Sequence, residues 1–333
     1  MAGSRLRRHV LVVALGLLAA ASVTYASLRT IAFARLFGLF RPHSGIRITQ
    51  GEITAAYETS TDPRTPVVPR IIHQIFHNWH DPNGNTLRPD WKAARQTCLD
   101  LNPSWEHMLW TSKTSRDFIE EEFPWFLSAY DRYSFPVQKV DVVKYFVLRY
   151  YGGIYIDLDN GCAANLEPLT YYPAFTTDGG HGALSNNIMG GQPGHPLFFL
   201  LTDNLIRWQV NYLLPYATIM WSSGQWYFTA IWEEYHSVLT HKSSVNGISE
   251  TRLQPLHHIL MDMRPGSDPW VFFTQVDGNS WANWDNRLIS IIGDNIAFIM
   301  LLLVALVSST GWACAKTSIR RNNANTAHKL FEA

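Results

Sequence analysis

Hydrophobic residues are concentrated in two long runs, one near each end of the chain. Val10–Leu28 contains 19 residues without a charge and follows three arginines, and Asn295–Ala315 is a second uncharged run that basic residues follow. A helix of about 19 residues is about 28 Å long, which is close to the thickness of the hydrocarbon core of a bilayer. Both runs are therefore predicted to be transmembrane helices, and the positive-inside rule places both termini in the cytosol.

Each run leaves an alternative open. Val10–Leu28 is also compatible with a cleaved signal peptide that ends near Ala26, although its length favours a retained anchor. Asn295–Ala315 could be a buried core helix, but its length and basic flank favour a span. The segment from Leu28 to Arg41 has three arginines among apolar residues. It is compatible with a helix on the luminal membrane surface, with a simple extension of the first span or with a linker.

Two spans would divide the chain into three parts. Residues 1–41 are predicted to form a basic cytosolic tail, the anchor and a juxtamembrane segment. Residues 42–290 are long enough for one large luminal domain. Residues 291–333 are predicted to form the second span and another basic cytosolic tail.

Strands and helices alternate in the predicted luminal domain. Arg41–Arg70 is rich in Pro, Thr and Ser, which is typical of a linker. The predicted strands are Arg70–Phe76, Trp105–Trp110 and Ile154–Leu158. The predicted helices are Asp90–Leu101 and Lys113–Tyr130, the second with a break near Pro124. A third predicted helix is capped by Ser134 and ends near Tyr151. This alternation indicates an α/β fold with a mostly parallel sheet.

Composition narrows the classes of function. The 27 basic and 27 acidic residues cancel, so net charge gives no argument for a nucleic-acid partner. A hydrophobic share of 47% excludes disorder of the whole chain, and three cysteines are too few for a small domain held by disulfides. Cys98 and Cys162 could pair in an oxidising lumen, but the preferred expectation is that they stay unpaired.

Two carboxylates stand at the end of the apolar strand Ile154–Leu158. Asp157 and Asp159 are separated by one residue, so both can face the cleft at the carboxyl end of the strand, where ligands of α/β sheets bind. Two acids packed together repel each other unless a cation neutralises them, and a hard divalent ion suits oxygen ligands. Such an ion also neutralises the diphosphate of a sugar nucleotide, so the pair is a candidate metal site.

Three further residues extend this candidate site. Asp141 and Lys144 are three apart on the preceding predicted helix and share a face. A two-glycine turn connects that helix directly to the strand. Tyr155 projects to the same side of the strand as Asp157.

The segment Asp141–Asp159 resembles the signature of glycosyltransferase family 32, D-x-x-[RK]-Y-x-x-L-x-x-x-G-G-I-Y-x-D-x-D. Four other stretches are similar to segments of this family, namely Pro69–His77, Trp105–Lys113, Asn186–Pro196 and Gly278–Ile289. The resemblance covers roughly residues 66–290. Lys144 stands where the family usually has arginine, and Ala282 stands where related enzymes often have histidine.

The resemblance implies a GT-A type, Rossmann-like fold and a divalent cation, Mn²⁺ or Mg²⁺. It implies that Asp141, Lys144, Asp157 and Asp159 are the catalytic residues. The implied metal ligand is Asp159, with Asn279 or Ser280 completing the shell. Asp157 is implied to contact the donor ribose or sugar and is a candidate second metal ligand. Asp141 and Lys144 are implied to contact the donor sugar, and Tyr155 is implied to line the same pocket. Ser280 and Trp281 are implied to close over the diphosphate. Ile71–Ile75 and Trp110 are implied to lie beside the nucleotide base.

Within the family, the chain is similar to fungal mannosyltransferases that have two terminal spans. That similarity implies retaining transfer of mannose from GDP-mannose to the inositol head group of inositolphosphoceramide in the Golgi membrane, with a multi-spanning regulatory subunit as partner. The alternatives are a hexosyltransferase that acts on N-glycans and a non-catalytic regulatory subunit. Trp208–Trp221 could dock the lipid acceptor, since Trp and Tyr suit a membrane interface, although a core helix and loop is the preferred interpretation.

Other polar clusters are expected to be structural. His73, His77 and His80 are more typical of strand or surface histidines than of metal ligands. The pairs His257–His258 and Glu233–Glu234 are expected on solvated surfaces.

Overall fold

The structure is a computed structural model, and it describes residues 2–38, 41–59, 65–79, 81, 84, 86–180, 182–242, 254–262, 266–278, 281–295, 302, 305 and 309. The strands are β1 (Ile46–Thr49), β2 (Ile71–Phe76), β3 (Glu106–Thr111), β4 (Gly153–Ile156), β5 (Asn160–Cys162), β6 (Ala174–Asp178), β7 (Ser185–Gly191), β8 (His257–Leu260) and β9 (Phe273–Gln275). The helices are α1 (Ala2–Leu36), α2 (Gln50–Thr59), α3 (Pro89–Leu101), α4 (Ser112–Glu122), α5 (Pro124–Arg132), α6 (Pro136–Tyr150), α7 (Pro196–Trp208), α8 (Pro215–Ser222), α9 (Gln225–Lys242) and α10 (Trp284–Asp294).

Seven strands form the central sheet in the order β1-β8-β6-β7-β4-β2-β3. β7 is antiparallel to both of its neighbours, and every other neighbouring pair is parallel. The carboxyl ends of β2, β3, β4 and β6 therefore lie at one edge of the sheet, which is also the edge at which β7 begins. β5 and β9 form a separate antiparallel pair. The predicted α/β fold with a mostly parallel sheet is confirmed.

Hydrophobic clusters cover both faces of the sheet. Successive side chains of β4 point to opposite faces, so Ile154 and Ile156 join one cluster and Tyr155 joins the other. α6 packs against the Tyr155 side, and its residues Tyr145 to Leu148 are completely buried. Because both faces are covered, β4 is a continuous apolar run, as is common in parallel sheets, whereas β7 and β6 on one side of it also contain polar residues.

The predicted strands and helices of the middle region are confirmed within a few residues, with two corrections. Arg41–Arg70 was expected to be a linker, but it contains β1 and α2. β1 is a short edge strand with a polar, half-exposed sequence, so its hydrophobic pattern gives little signal. Ser134 does not cap α6, because Pro136 occupies the first turn and holds Phe135 in an extended conformation as the cap. The Phe135 N–H then donates to Gln138 Oε1 at 3.0 Å.

α1 is the one helix in the described ranges that is long and apolar enough to cross a membrane. The candidate span is Gly16–Leu36, with a mean hydropathy of 1.4, and none of its most hydrophobic stretch of 18 residues is buried inside the structure. The helix continues without a break past Leu28, so the juxtamembrane segment extends the first helix. Most of Asn295–Ala315 lies outside the described residues, and the second span stays a prediction.

The C-terminal end of α1 packs directly on the domain. The ring centroids of Phe33 and Phe37 lie 5.0 and 5.8 Å from that of Trp226 on α9. Gly38, with a φ of 65°, follows the helix in the left-handed conformation that commonly ends helices.

The chain that follows α1 is tied to Glu233 of α9. The Ser44 hydroxyl donates to the Glu233 carboxylate at 2.7 Å, and Arg41 and His43 contact the same carboxylate at 3.2 and 3.4 Å. The Glu233 side chain is only 18% exposed. Its expected position on a solvated helix face is therefore wrong, because the segment after α1 folds back over α9.

A similar correction applies to the histidine pair of β8. His258 is 1% exposed, and its Nδ1 lies 2.9 Å from Oδ2 of Asp178 at the end of β6. β8 lies between β1 and β6, so its side chains are covered by neighbouring strands and helices. The predicted surface position is wrong for His258, while His257 is half-buried against Tyr172.

Cys98 and Cys162 form a disulfide that joins α3 to β5, with a Cα–Cα distance of 4.7 Å. The expectation of unpaired cysteines is therefore wrong. The two residues are 64 positions apart, so no local pattern signals their pairing. They meet because β5 runs alongside α3.

Residues 214–216 and 282–333 form a second compact unit, separate from the unit of residues 1–213 and 217–281. Within the second unit, the Tyr216 N–H donates to Oδ2 of Asp285 at 2.7 Å, near the start of α10. Asp285 is completely buried.

Removing the disulfide should destabilise the protein. For a closed loop of 64 residues, loop-closure entropy predicts a loss of about 4 kcal/mol of unfolding free energy. Denaturant unfolding of the full chain in detergent, without reductant, measures the loss in Cys98→Ser. Cys314→Ser is the control, because it removes the third cysteine and leaves the Cys98–Cys162 pair intact, and it should destabilise the protein less than Cys98→Ser does. Equal stability of both variants would contradict the pairing.

The His43–Glu233 contact should give a stability contribution with two pH limits. Burial alone would raise the pKa of Glu233, but hydrogen bonds from His43 and Ser44 outweigh it and hold the pKa at about 2, below the ordinary 4.5. This stabilisation is present above pH 4.5 and is lost as the pH falls towards 2. Burial lowers the pKa of His43, but hydrogen bonds to Glu233 and Gly182 raise it above 6.5 overall. That part is present below pH 6.5 and is lost as the pH rises further.

The unfolding midpoint of Glu233→Gln should therefore differ most from wild type between pH 4.5 and 6.5. Thermal unfolding from pH 3 to pH 9 measures the difference. The neighbouring, exposed Glu234→Gln is the matched control. A difference that does not change with pH would show that Glu233 acts through packing alone.

Candidate active site

The two aspartates of the candidate site flank a tight turn at the carboxyl edge of the sheet. β4 ends at Ile156, and the Asp157 N–H donates to the carbonyl of Asn187 on β7 at 2.8 Å. The Asn160 N–H then donates to the Asp157 carbonyl at 2.9 Å, which turns the chain into β5. The strand does not continue through both aspartates, and the turn places them at the same edge.

A buried lysine lies between two carboxylates of this site. Lys144 Nζ is 3.1 Å from Oδ1 of Asp141 and 3.5 Å from Oδ1 of Asp157, and the residue is only 2% exposed. Burial alone would lower the pKa of Lys144, but Asp157 and Asp141 raise it overall. These contacts favour the charged form of Lys144, and the structure brings Asp141, Lys144 and Asp157 together.

Tyr155 orients the first aspartate. Its hydroxyl donates a short hydrogen bond to Oδ1 of Asp157, and Lys144 Nζ lies 4.9 Å from the centre of its ring. Burial raises the pKa of Tyr155 well above 10, so the hydroxyl stays a donor. The hydrogen bonds that Tyr155 and Lys144 donate to Asp157 both reach Oδ1. Among the described residues no hydrogen bond reaches Oδ2 of Asp157.

Asn186 and Ser223 hold Asp141 and were not among the predicted site residues. Asn186 Nδ2 donates to Oδ1 of Asp141 at 3.1 Å, and the Ser223 hydroxyl donates to Oδ2 at 3.0 Å. The Asn186 carbonyl also accepts from Lys144 at 3.2 Å. Asn186 belongs to the family-like segment Asn186–Pro196, which is a usable signal, whereas nothing in the sequence around Ser223 indicates this contact.

Asp159 is held by the segment that follows β9. The Val276 N–H donates to the Asp159 carbonyl at 2.8 Å, and the chain then passes so close that a Cβ on Gly278 would lie 2.0 Å from Oδ2 of Asp159. Burial and the nearby Asp157 carboxylate raise the pKa of Asp159 to about 7. Among the described residues, no cation forms an ion pair with Asp159.

The charges and donor atoms of the site fit a divalent cation. Asp141, Asp157 and Asp159 carry three carboxylates and Lys144 one ammonium, which leaves two formal negative charges when all are ionised. Within the described ranges, no group of three or more His, Cys, Asp or Glu side chains could hold a metal ion alone. Two carboxylates that share a cation with substrate phosphates are typical of Mg²⁺ sites, and hard oxygen ligands also suit Mn²⁺.

The remaining predicted site residues have different positions. Ile75 and Trp110 are paired on β2 and β3, and both are buried in the hydrophobic cluster beside α6. Trp281 is partly exposed. Asn279 and Ser280 lie outside the described residues. The roles of these residues in binding donor or metal stay predictions.

The strand histidines have structural partners. His73 Nε2 bonds to the Gly152 carbonyl at 2.9 Å, and the Trp110 indole donates to its Nδ1 at 3.2 Å. His77 Nε2 lies 2.9 Å from the Ser115 hydroxyl. Burial lowers the pKa of both histidines to about 4, so both rings are neutral. His80 lies outside the described residues.

Comparison with known proteins agrees with this geometry. Residues 89–176, which include α6 and both aspartates of the turn, match the model of the family described as "Glycosyltransferase sugar-binding region containing DXD motif". Residues 89–176 are therefore similar to the sugar-binding region of the DXD glycosyltransferases, and the resemblance predicted from the sequence is confirmed.

The similar proteins share a narrower description. "Inositol phosphoceramide mannosyltransferase 2" of Schizosaccharomyces pombe is 39% identical over 236 residues, which are 71% of this chain and 64% of the relative. "Mannosyl phosphorylinositol ceramide synthase SUR1" of Saccharomyces cerevisiae is 33% identical over 262 residues, or 76% and 64%. "Inositol phosphoceramide mannosyltransferase 3" of Schizosaccharomyces pombe is 36% identical over 225 residues, or 67% and 58%. This chain thus spans about 64% of the length of the first two relatives.

Gly278→Ala should impair the site without unfolding the protein. The new Cβ would meet Oδ2 of Asp159 at 2.0 Å, so the carboxylate must move. A displacement of about 1 Å at a catalytic group costs about a hundredfold in rate. We expect about that loss in divalent-cation-dependent turnover of the sugar nucleotide, with an unchanged unfolding midpoint.

Gly51→Ala is the matched control for this prediction. Gly51 lies in α2, and a Cβ there meets no atom within 4 Å. Its turnover should equal that of wild type. Wild-type turnover in Gly278→Ala would show that Asp159 need not occupy its present position.

Proposed function

We propose that the chain is a membrane-anchored, metal-dependent glycosyltransferase with a GT-A fold. It transfers mannose from GDP-mannose to the inositol head group of inositolphosphoceramide and retains the anomeric configuration. The observation that carries the proposal is the buried Lys144 between Asp141 and Asp157 inside a DXD sugar-binding region. The relatives are named inositol phosphoceramide mannosyltransferases, and these names are the basis for proposing the acceptor and the transferred sugar.

In this proposal, the aspartates of the turn hold the cation, which is Mn²⁺ or Mg²⁺. Asp159 and Oδ2 of Asp157 would bind the cation, and Asn279 or Ser280 would complete its shell. When bound, the cation neutralises the donor diphosphate and assists its departure as a Lewis acid. Tyr155 holds Asp157 in the orientation that this role requires.

Lys144 and Asp141 form the sugar end of the proposed donor site. Asn186 and Ser223 fix the Asp141 carboxylate, so the hydroxyls of the donor sugar meet an acceptor group whose position is already set. Lys144 adds positive charge near the leaving diphosphate without the paired donors of an arginine. Trp281 closes over the diphosphate, and Ile75 and Trp110 lie towards the base. The acceptor hydroxyl attacks from the face that the diphosphate leaves.

We propose that the catalytic domain, residues 42–290, lies in the Golgi lumen with both termini in the cytosol. The Cys98–Cys162 disulfide supports an oxidising compartment, because cytosolic thiols are kept reduced. The apolar surface of Gly16–Leu36 supports a membrane anchor. The second span and a multi-spanning regulatory subunit complete the proposed arrangement, and both derive from the family resemblance.

The direct test is lipid mass spectrometry. Full-length protein is incubated with GDP-mannose, inositolphosphoceramide and Mn²⁺, and we expect one added hexose on the lipid. Asp159→Asn keeps the size of the side chain but removes its charge, and it should reduce product by at least about a hundredfold. Asp131→Asn alters an exposed aspartate outside the site and should leave the product yield unchanged.

Other outcomes separate the alternatives. Hexose transfer to a high-mannose glycan, with none to the lipid, would replace the acceptor in this proposal. A product that forms only when a partner subunit is added, and that survives Asp159→Asn, would indicate a regulatory role for this chain. A glycosyl adduct on the protein itself would contradict the front-face route.

A further inference from the structure

The loop between α7 and α8 presents an apolar side chain to the outside of the protein. Leu213 is 91% exposed, and in the described part of the chain it is the one residue other than glycine with a positive φ, 71°. A left-handed conformation is unfavourable for leucine and persists only where the surrounding structure imposes it. The fold therefore holds Leu213 outward, although neither its side chain nor its backbone favours this position in water.

Hydrogen bonds fix the backbone of this loop, Val210–Leu213. The Leu213 N–H donates to Oδ1 of Asn211 at 2.8 Å, and the Tyr212 N–H donates to the hydroxyl of Thr218 on α8 at 3.0 Å. Val210 is exposed as well, and the loop has no charged side chain. The Val210–Leu213 loop is thus an ordered, uncharged surface with two apolar side chains on its outside.

Aromatic side chains connect the Val210–Leu213 loop to α1. Phe37 and Phe33 contact Trp226, as described above, and Phe33 also contacts Trp221 at a ring distance of 5.9 Å. Trp221 in turn contacts Tyr212 of the loop at 6.4 Å. Because Phe33 precedes Phe37, these contacts continue along α1 towards the apolar part of the helix.

The loop reaches the level of Arg29 on α1. Burial raises the pKa of Tyr212 above its ordinary 10, and the nearby positive charge of Arg29 opposes this rise. Arg29 lies about 12 Å before Phe37 along the helix. The uncharged run Val10–Leu28 ends immediately before Arg29, whereas the candidate span Gly16–Leu36 extends about 10 Å beyond it. With either limit, Tyr212 lies at or inside the end of the apolar segment.

The side chains near this level have the chemistry of a membrane–water interface. Trp208 stacks on Trp221 at 5.6 Å, and these two rings form a layer with Tyr212. Arg207, which precedes Trp208, is exposed. Tryptophan, tyrosine and arginine are typical of the head-group region, because their apolar parts lie in lipid while their polar ends reach water and phosphate.

We propose that the Val210–Leu213 loop inserts into the bilayer that α1 crosses and forms a second membrane contact of the domain. Leu213 lies at the boundary of the acyl chains and Tyr212 among the head groups, while Arg29 and Arg207 face lipid phosphates. The inference rests on the proposed membrane anchorage by α1, since a loop at this level of a spanning helix meets lipid.

α8 connects this membrane contact to the proposed donor site. Thr218 of α8 accepts from the backbone of the loop, and the Ser223 hydroxyl donates to Oδ2 of Asp141. Less than two helical turns separate Thr218 from Ser223. A single spanning helix is free to tilt in the bilayer, and a second contact beside it limits the tilt. Insertion of the loop therefore sets the orientation of the donor site towards the lipid surface.

The first test measures whether residue 213 lies in lipid. Full-length protein with Cys314→Ser and Leu213→Cys carries a nitroxide label at position 213 and is reconstituted into phosphatidylcholine vesicles. Power-saturation electron paramagnetic resonance compares collisions of the label with molecular oxygen, which concentrates in lipid, and with a water-soluble Ni²⁺ chelate. At position 213 we expect collisions with oxygen to exceed those with the chelate.

Lys113→Cys in the same background is the matched control, because the Lys113 side chain is 84% exposed on α4, away from the loop. Its label should collide mainly with the chelate. The same behaviour of a label at position 213 would overturn the inference. A label at position 213 that meets neither agent would also overturn it, because protein, either a partner subunit or a second copy, would then cover Leu213.

Leu213→Asn tests whether the insertion orients the donor site. Asparagine is similar in size to leucine and adopts the left-handed conformation more readily, so the unfolding midpoint should not fall. In vesicles that contain inositolphosphoceramide, the KM for the lipid should rise about threefold to tenfold, since part of the burial free energy of one leucine is lost. The KM for GDP-mannose should stay unchanged.

Leu101→Asn makes the same change at an exposed leucine, at the end of α3, and should leave the lipid KM unchanged. An equal rise in both variants would show that the effect is not specific to the loop. An unchanged lipid KM in Leu213→Asn, with the label at position 213 in lipid, would retain the membrane contact and reject its role in orientation.

Flotation of the vesicles separates the possible failures. If the wild type does not float with the vesicles, the proposed anchorage fails and the loop inference fails with it. If it floats but the label at position 213 lies in water, the anchorage stands and the loop inference fails. If the label lies in lipid and no mannose is transferred, the proposed reaction fails while the membrane contact stands.

Discussion

The site depends on one buried cation. Lys144 is enclosed by Asp141, Asp157 and the ring of Tyr155, and isolated buried charges are costly enough that these contacts must form together. Lys144 lies on α6, Tyr155 on β4 and Asp157 in the turn after β4. The geometry of the site is therefore set by the packing of α6 against β4. The carboxylates of the site outnumber its ammonium group, and a divalent ion would neutralise the remaining negative charge.

Much of this arrangement could be predicted from the sequence because it is local. Asp141, Lys144, Tyr155, Asp157 and Asp159 lie within one helix–turn–strand unit, where helical and strand periodicity place side chains on known faces. The mostly parallel sheet followed from the alternation of apolar strands with helices.

The parts that could not be predicted depend on distant segments. Ser223 and Gly278 reach the site across long stretches of chain, and the Cys98–Cys162 pair needs the alignment of β5 with α3. Glu233 and His258 were misplaced for a related reason. Each belongs to a pair of adjacent polar residues, which is typical of an exposed position, but their burial is imposed by the chain after α1 and by the strands beside β8.

The direct contact between α1 and the domain affects how substrates are found. Phe33 and Phe37 pack on Trp226, and Arg41, His43 and Ser44 hold Glu233, so the described end of the helix is in direct contact with the domain. In the proposed membrane-anchored arrangement, a catalytic centre held this way would move with its anchor and keep a fixed height above the bilayer. Its search for an acceptor is then two-dimensional, governed by surface density and lateral diffusion. The height of an acceptor above the membrane would then limit which acceptors the enzyme can use, because a sugar carried far above the lipid surface would be out of reach whatever its chemistry.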